Sequence, residues 1–210
     1  MTELPIRDDV IYQEMMVHPA LFMHSHPKKI AIIGDEQCGV LKEILHHPEV
    51  DSVDHVDSKQ ARLIHHDERI TLYKESVSEW IKNKLPESLD IIIIASDEPM
   101  PAMAAFFNLL HPDGILVHQG DSPFKINSLK NLQQKITASG FEDLHFLIYS
   151  QPNFPAGLRT ALLAKKHGNF RKIREKDIFN KTFKTHYYNF DIHQAALVLP
   201  EFMRHELQPI

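Results

Sequence analysis

The segment KKIAIIGDEQCGVLKEILHHPEVDSVDHVD, residues 28–57, constrains the fold more tightly than any other stretch. Residues 29–33 form a short run rich in β-branched side chains that stops at Gly34, and Val40, Leu41, Ile44 and Leu45 then recur at helical spacing. Residues 53–56 read as a second strand ending on Asp57. A strand that turns at a glycine into a helix, with a carboxylate closing the next strand, is how α/β nucleotide folds hold a ribose-bearing ligand. The loop keeps only Gly34 and Gly39, with Asp35, Glu36, Gln37 and Cys38 between them. It therefore lacks the G-x-G-x-x-G spacing that lets bare backbone N–H groups approach a pyrophosphate. Two carboxylates in that loop disfavour a nicotinamide or flavin dinucleotide and favour a cationic or neutral nucleoside.

The remaining elements extend this unit. DIIIIA at residues 90–95 is a continuous apolar run, as in a strand buried on both faces of a parallel sheet. Residues 70–73 and 115–119 read as further strands, and residues 77–84, 103–110 and 129–139 as helices, the last stopped by Gly140. Pro112-Asp113-Gly114 reads as a turn. Residues 143–149 and 160–165, joined by QPNFPAGLR, are expected to pair as an antiparallel hairpin. Residues 1–11 read as an extended lead-in, and residues 12–23 as two helical turns separated at Pro19. The expectation is α/β: a single domain with a Rossmann-like, seven-stranded sheet of the S-adenosylmethionine-dependent methyltransferase type. Residues 1–27 lead into it, 28–166 form the nucleoside-binding core, and 167–210 pack on that core.

Composition narrows the partners. A chain of 210 residues with 43% hydrophobic and 24% charged residues suits one soluble α/β domain, and a formal charge of −5 argues against nucleic acid or an anionic membrane. No run approaches the roughly 18 apolar residues needed to span a bilayer. The N-terminal MTELPIRDD is polar, and one cysteine makes no intramolecular disulfide, so a cytoplasmic location is expected. Cys38 reads as a small residue tolerated in place of a glycine. The histidines at 46–47, 55 and 65–66, with Asp67, lack CxxC or HExxH spacing, so no metal is expected and they read as solvated helix ends. The basic stretch 165–176 reads as a solvated connection.

Three further segments carry a resemblance: IYQEMMVHPALFMHSHPKKIAIIG at 11–34, DIIIIASDEPM at 90–100, and HYYNFDIHQAALVLPEF at 186–202. Together they resemble the spermidine synthases, the polyamine aminopropyltransferases. The resemblance implies transfer of an aminopropyl group from decarboxylated S-adenosylmethionine, the co-substrate, to putrescine, giving spermidine and methylthioadenosine with no metal or other cofactor. The expected catalytic set is Glu98 and Tyr12, which match family positions, and Asp97, which strand alternation puts on the same side as Ala95 two residues earlier. Tyr12 and Gln13 match the family's substrate-positioning residues, Asp57 its ribose-binding acid, and Glu98 the second acid after the fourth strand. Gly34, Gln119 and Phe154 complete the expected substrate wall, Phe154 standing where a tyrosine is usual.

Three departures stand out. Gln37, Ser76 and Ala95 occupy positions where the family has aspartates, for the aminopropyl ammonium, the adenine amine and the proposed base. Asp35, Glu36 and Asp97 are the nearest acids that could replace them. The resemblance also implies a missing N-terminal β-domain and a shortened loop after Pro99. The alternatives left open are a catalytically impaired member acting as a binding or assembly module, and a methyltransferase on the same sheet. A homodimer through the sheet edge or the C-terminal segment is expected.

Overall fold

The computed structural model describes residues 8–58, 67–97, 100–170 and 173–207. Seven strands form one sheet: β1 (Lys29–Gly34), β2 (Ser52–Val56), β3 (Ile70–Tyr73), β4 (Leu89–Ala95), β5 (Leu110–Gln119), β6 (Asp143–Ser150) and β7 (Leu158–Lys165). Their order is β3-β2-β1-β4-β5-β7-β6. The first five run parallel, and β7 is antiparallel to both β5 and β6. Alternation along β1 and β4 sends Ile30, Ile32, Ile91 and Ile93 into one core layer, and Ala31, Ile33, Ile92 and Ile94 into the other. Burial on both faces is why these strands read as unbroken apolar runs.

The first layer is built on α1 (Asp8–Met23) and α2 (Gly39–Leu45), with α6 (Glu175–Phe179) and α7 (Phe190–Ala196). The second contains α3 (Val77–Lys82), α4 (Met103–Leu109), α5 (Ile126–Thr137) and α8 (Glu201–Glu206). Residues 8–11 of the expected lead-in and the expected pair of turns are instead one 16-residue helix with Pro19 inside it; residues 1–7 lie outside the described residues. Pro19 removes one helical N–H, but residues 14–23 are all buried, and that packing outweighs the lost bond.

Two more expectations are corrected. Residues 112–114 do not form a turn between elements: they lie within β5, where the register slips between Leu89↔Leu110 and Ile91↔Ile115. The carbonyls set askew by this irregularity are met by Lys165, which bonds Asp113 through both backbone and side chain, and by Lys166, which donates to the Leu110 carbonyl at 2.8 Å. Both lysines are buried, so the basic stretch begins inside the protein and not in solvent. The histidines also turn inward. His47 and His55 are buried, His18 Nδ1 lies 2.9 Å from His47 Nε2, and burial lowers the His18 pKa to about 4. His65 and His66 lie outside the described residues.

Glu14 ties the two ends of the chain together. Its side chain is 1% exposed and accepts the backbone N–H groups of His186 (2.7 Å), Tyr187 (2.9 Å) and Tyr188 (2.7 Å). Those three amides precede α7, whose start Asn189 caps by accepting the Ile192 N–H at 2.8 Å. Removing the carboxylate leaves three donors in or near the core without an acceptor, at about 1–3 kcal/mol each. Glu14→Ala is therefore expected to lose about 3 kcal/mol or more, lowering Tm by roughly 6–12 °C and opening residues 180–200 to proteolysis. Glu14→Gln should recover part of the loss, because its amide NH2 cannot accept. A change in Tm below about 2 °C for the alanine variant would contradict this account.

Candidate functional site

The strand order reverses between β1 and β4, so the connections leaving these two strands diverge and open a crevice beyond their carboxyl ends. The crevice has two lobes, of about 620 and 930 Å³, which share Ser96, Asp97, Met100, Gln119 and Arg159. Tyr12, Gln13, Gly34, Gln37 and Asp57 line the smaller lobe, and Phe154, His118 and Lys135 the larger.

The loop from β1 to α2 works with fewer glycines because other residues take the left-handed backbone. Gly34 has φ 87, and a Cβ there would sit 2.8 Å from Ser96 Cβ, so β1 and β4 could not end this close together. Asp35 (φ 68) and Cys38 (φ 55) are also left-handed. Asp35 supports that geometry by accepting the Gly39 N–H (3.1 Å) and the Leu41 N–H (2.8 Å) at the start of α2. Burial raises its pKa to about 6 against those backbone bonds. Gly39 meets a different constraint. Gln13 crosses directly over it, and a Cβ there would fall 2.0 Å from Gln13 Nε2. The glycine thus lets α1 lay Gln13 along the crevice.

At the junction of the lobes runs a chain of short hydrogen bonds. Tyr12 donates its hydroxyl to Gln119 Oε1 at 2.7 Å, and Gln119 Nε2 donates to Asp97 Oδ1 at 2.6 Å. Arg159 Nη2 donates to the same Gln119 Oε1 at 2.9 Å, and Arg159 Nε to the Gly120 carbonyl at 3.3 Å. The Gln119 amide is thereby fixed, with its oxygen toward two donors and its nitrogen toward the carboxylate. Burial pushes the Tyr12 phenol well above its usual range, Arg159 opposes this, and Asp35 and Asp97 add to it. Tyr12 is accordingly a neutral donor. His118, at the end of β5, donates from Nδ1 to the Gln119 carbonyl at 2.6 Å, and burial lowers its pKa.

Arg159 escaped the sequence reading. Its guanidinium carbon sits 4.6 Å from the Tyr12 ring centroid and 4.6 Å from that of Phe154, a cation held between two aromatic faces. The available signal was the hairpin loop QPNFPAGLR, since antiparallel pairing of β7 with β5 aligns Gln119 with Ala161 and brings Arg159 beside it. The aspartate expected at position 35 as a spare acid is instead engaged in holding α2.

The other expected residues divide as follows. Asp57 is buried just past β2, with its N–H donated to the Tyr73 carbonyl at 3.0 Å. Gln37 is exposed on the loop, and Ala95 lies opposite Gly34 in the sheet. Ser76 is not among the residues lining the crevice: it caps α3 in a reciprocal arrangement with Glu79, and the neighbouring Val77 reaches the smaller lobe. Glu98 lies outside the described residues. Among the described residues, no group of His, Cys, Asp and Glu is arranged to hold a metal, and no helix is long and apolar enough to cross a membrane.

The spermine/spermidine synthase domain model matches residues 9–176. The polyamine aminopropyltransferase of Halorhodospira halophila is 36% identical over 94% of this chain and 80% of its own length. That of Thioalkalivibrio sulfidiphilus is 38% identical over 96% of this chain and 79% of its own. The fold is shared with the spermidine synthase of Thermotoga maritima, with a TM-score of 0.86 and 24% identity over 97% of this chain and 75% of that one. This chain belongs to the spermine/spermidine synthase family.

Proposed function

We propose that the protein is a polyamine aminopropyltransferase that moves an aminopropyl group from decarboxylated S-adenosylmethionine to putrescine, forming spermidine and methylthioadenosine. The observation that carries this reading is the Tyr12–Gln119–Asp97 chain at the junction of the two lobes, which holds a carboxylate between a nucleoside space and an amine space. In the smaller lobe, Asp57 binds the ribose hydroxyls, Gly34 lets the backbone approach, Val77 beside Ser76 faces the adenine, and Gln37 lies toward the aminopropyl ammonium. Tyr12 and Gln13 position the donor. Asp97, with Glu98, receives the acceptor amine and takes its proton as the C–N bond forms and the C–S bond breaks. Phe154 closes the far wall. Assembly as a homodimer and residence in the cytoplasm belong to the same reading, and sedimentation and fractionation test them.

The loss of aspartates at Gln37, Ser76 and Ala95 sets the scale of what this site must do without. Each charge-assisted hydrogen bond is worth about 1.5–3 kcal/mol, or roughly ten- to hundredfold in affinity. The reading therefore expects weak donor binding and a correspondingly high KM, with kcat resting on Asp97.

Mass-spectrometric detection of methylthioadenosine and spermidine from the pure protein with both substrates is the direct test. Asp97→Asn is expected to lower kcat by about a hundredfold or more, and Asp57→Ala to raise the donor KM about tenfold or more with a smaller effect on kcat. No product from folded protein at high concentration, or an Asp97→Asn variant with unchanged turnover, would overturn the reading.

The raised Asp35 pKa gives a pH dependence with a definite sign. Its carboxyl is neutral below about pH 6 and charged above it, so a cationic nucleoside should bind more tightly as pH rises through 6, releasing a proton. Without ligand the sign is opposite: the stability tied to this group is full below about pH 4 and is lost as pH rises through about 6. Asp35→Asn should flatten both slopes, read by calorimetry of the donor between pH 5 and 7.5 and by urea unfolding over pH 4 to 7. A donor affinity that stays level in the parent protein across that interval would contradict the assignment.

A further inference from the structure

We propose that the larger lobe also takes acceptors in which a primary amine is paired with a carboxylate, and that Arg159 is the residue that binds the carboxylate. This rests on the aminopropyl-transfer reading for its chemistry, and on the charge arrangement for its binding. Arg159 is a fixed cation lining the lobe that is read as the acceptor site. Its hydrogen-bond acceptors among the described residues are two neutral oxygens, Gly120 O and Gln119 Oε1, and no described carboxylate forms an ion pair with it. The ring faces of Tyr12 and Phe154 hold the guanidinium on both sides without neutralising it. Asp121, which with Asp97 makes up the acids lining this lobe among the described residues, is already paired with Lys125 at 3.2 Å.

A half-buried guanidinium bonded among the described residues only to neutral acceptors, and lining a lobe of about 930 Å³, is a ready site for a carboxylate, which its planar fork fits with two parallel bonds. Asp97 and Arg159 lie on either side of the Gln119 amide, so a short amino acid bound against it would set its amine at Asp97 and its carboxylate at Arg159, and each end meets the opposite charge. A diamine in the same place satisfies Asp97 but meets repulsion at Arg159. The reaction is the same for both acceptors. The bound ammonium gives one proton to Asp97, the neutral nitrogen then forms a C–N bond to the methylene beside the sulfonium, and the C–S bond breaks with its electron pair going to sulfur. The product is an N-(3-aminopropyl) amino acid, its new secondary amine left as the ammonium, together with methylthioadenosine.

The test pairs 4-aminobutanoate with 1,4-diaminobutane, the first carrying carboxylate oxygens where the second carries its far ammonium. Both are titrated calorimetrically into the protein, with and without methylthioadenosine, for the parent, Arg159→Gln and Arg159→Lys. The expected result is that Arg159→Gln weakens 4-aminobutanoate by about tenfold or more and 1,4-diaminobutane by clearly less, because Tyr12 still holds the Gln119 amide that orients Asp97. Arg159→Lys, which keeps the charge and loses the fork, should fall between. Absence of 4-aminobutanoate binding to the parent overturns the proposal, as does an equal loss of both ligands in the variants, the mark of a purely structural role. Should Arg159→Gln not fold, the lysine variant decides: it must weaken the amino acid clearly more than the diamine. Binding of 4-aminobutanoate that depends on Arg159, with no product from either acceptor, leaves the carboxylate site standing and overturns aminopropyl transfer instead.

Discussion

The contact on which the rest of this structure depends is the carboxylate of Glu14 beneath three consecutive backbone amides, those of His186, Tyr187 and Tyr188. Helix α1 is the first element of the described chain and carries Tyr12 and Gln13 into the crevice, yet no strand pairing holds it. What fixes its depth is apolar burial, which is not directional, and this carboxylate, which is. The C-terminal segment thereby sets the position of residues some 170 places earlier. Arg174 adds to the clamp, donating to the Leu21 carbonyl at 2.9 Å near the other end of the same helix.

The parts of the fold legible in the sequence are those whose signal is one-dimensional. Strands β1 and β4 declare themselves because both faces are buried, and the β6–β7 hairpin because its loop holds proline and glycine. The parts that were not legible depend on partners distant in sequence. Pro19 reads locally as a break, but burial of the helix around it outweighs the missing hydrogen bond. Pro112-Asp113-Gly114 reads locally as a turn, but buried Lys165 at the end of β7 and Lys166 just past it hold this stretch inside β5. The histidines at 46–47 and 55 read as solvated helix ends, but His47 and His55 are buried, because a neutral imidazole with one good partner can be buried cheaply.

The candidate site divides along the same line. Tyr12, Gln13, Gly34, Asp57, Asp97 and Gln119 could be picked out because motif and strand-end position place them, and the structure gathers all six around one crevice. Arg159 could not, because nothing local distinguishes it from a solvent-facing arginine; its role appears only once β7 lies beside β5 and the two aromatic rings close on it. Asp35 shows the opposite error. A carboxylate in the loop looks available to a ligand, yet its oxygens are turned to the first amides of α2, where they do what a glycine-rich backbone would otherwise leave to the ligand's own charge.

Electrostatic recognition does not require a carboxylate at each ligand contact; it requires that the remaining ones be held where they act. Gln119 meets that need. Its amide has one acceptor and one donor end, and with Tyr12 and Arg159 both donating to the oxygen, the nitrogen can only face an acceptor, which is Asp97. A glutamate at that position would offer acceptors to both sides and repel Asp97, and an apolar residue would leave Tyr12 and Arg159 without their shared partner. The amide therefore orients the acid, and the same oxygen that accepts from Tyr12 also holds Arg159 where the two lobes meet. The position of the carboxylate is a consequence of one side chain's asymmetry.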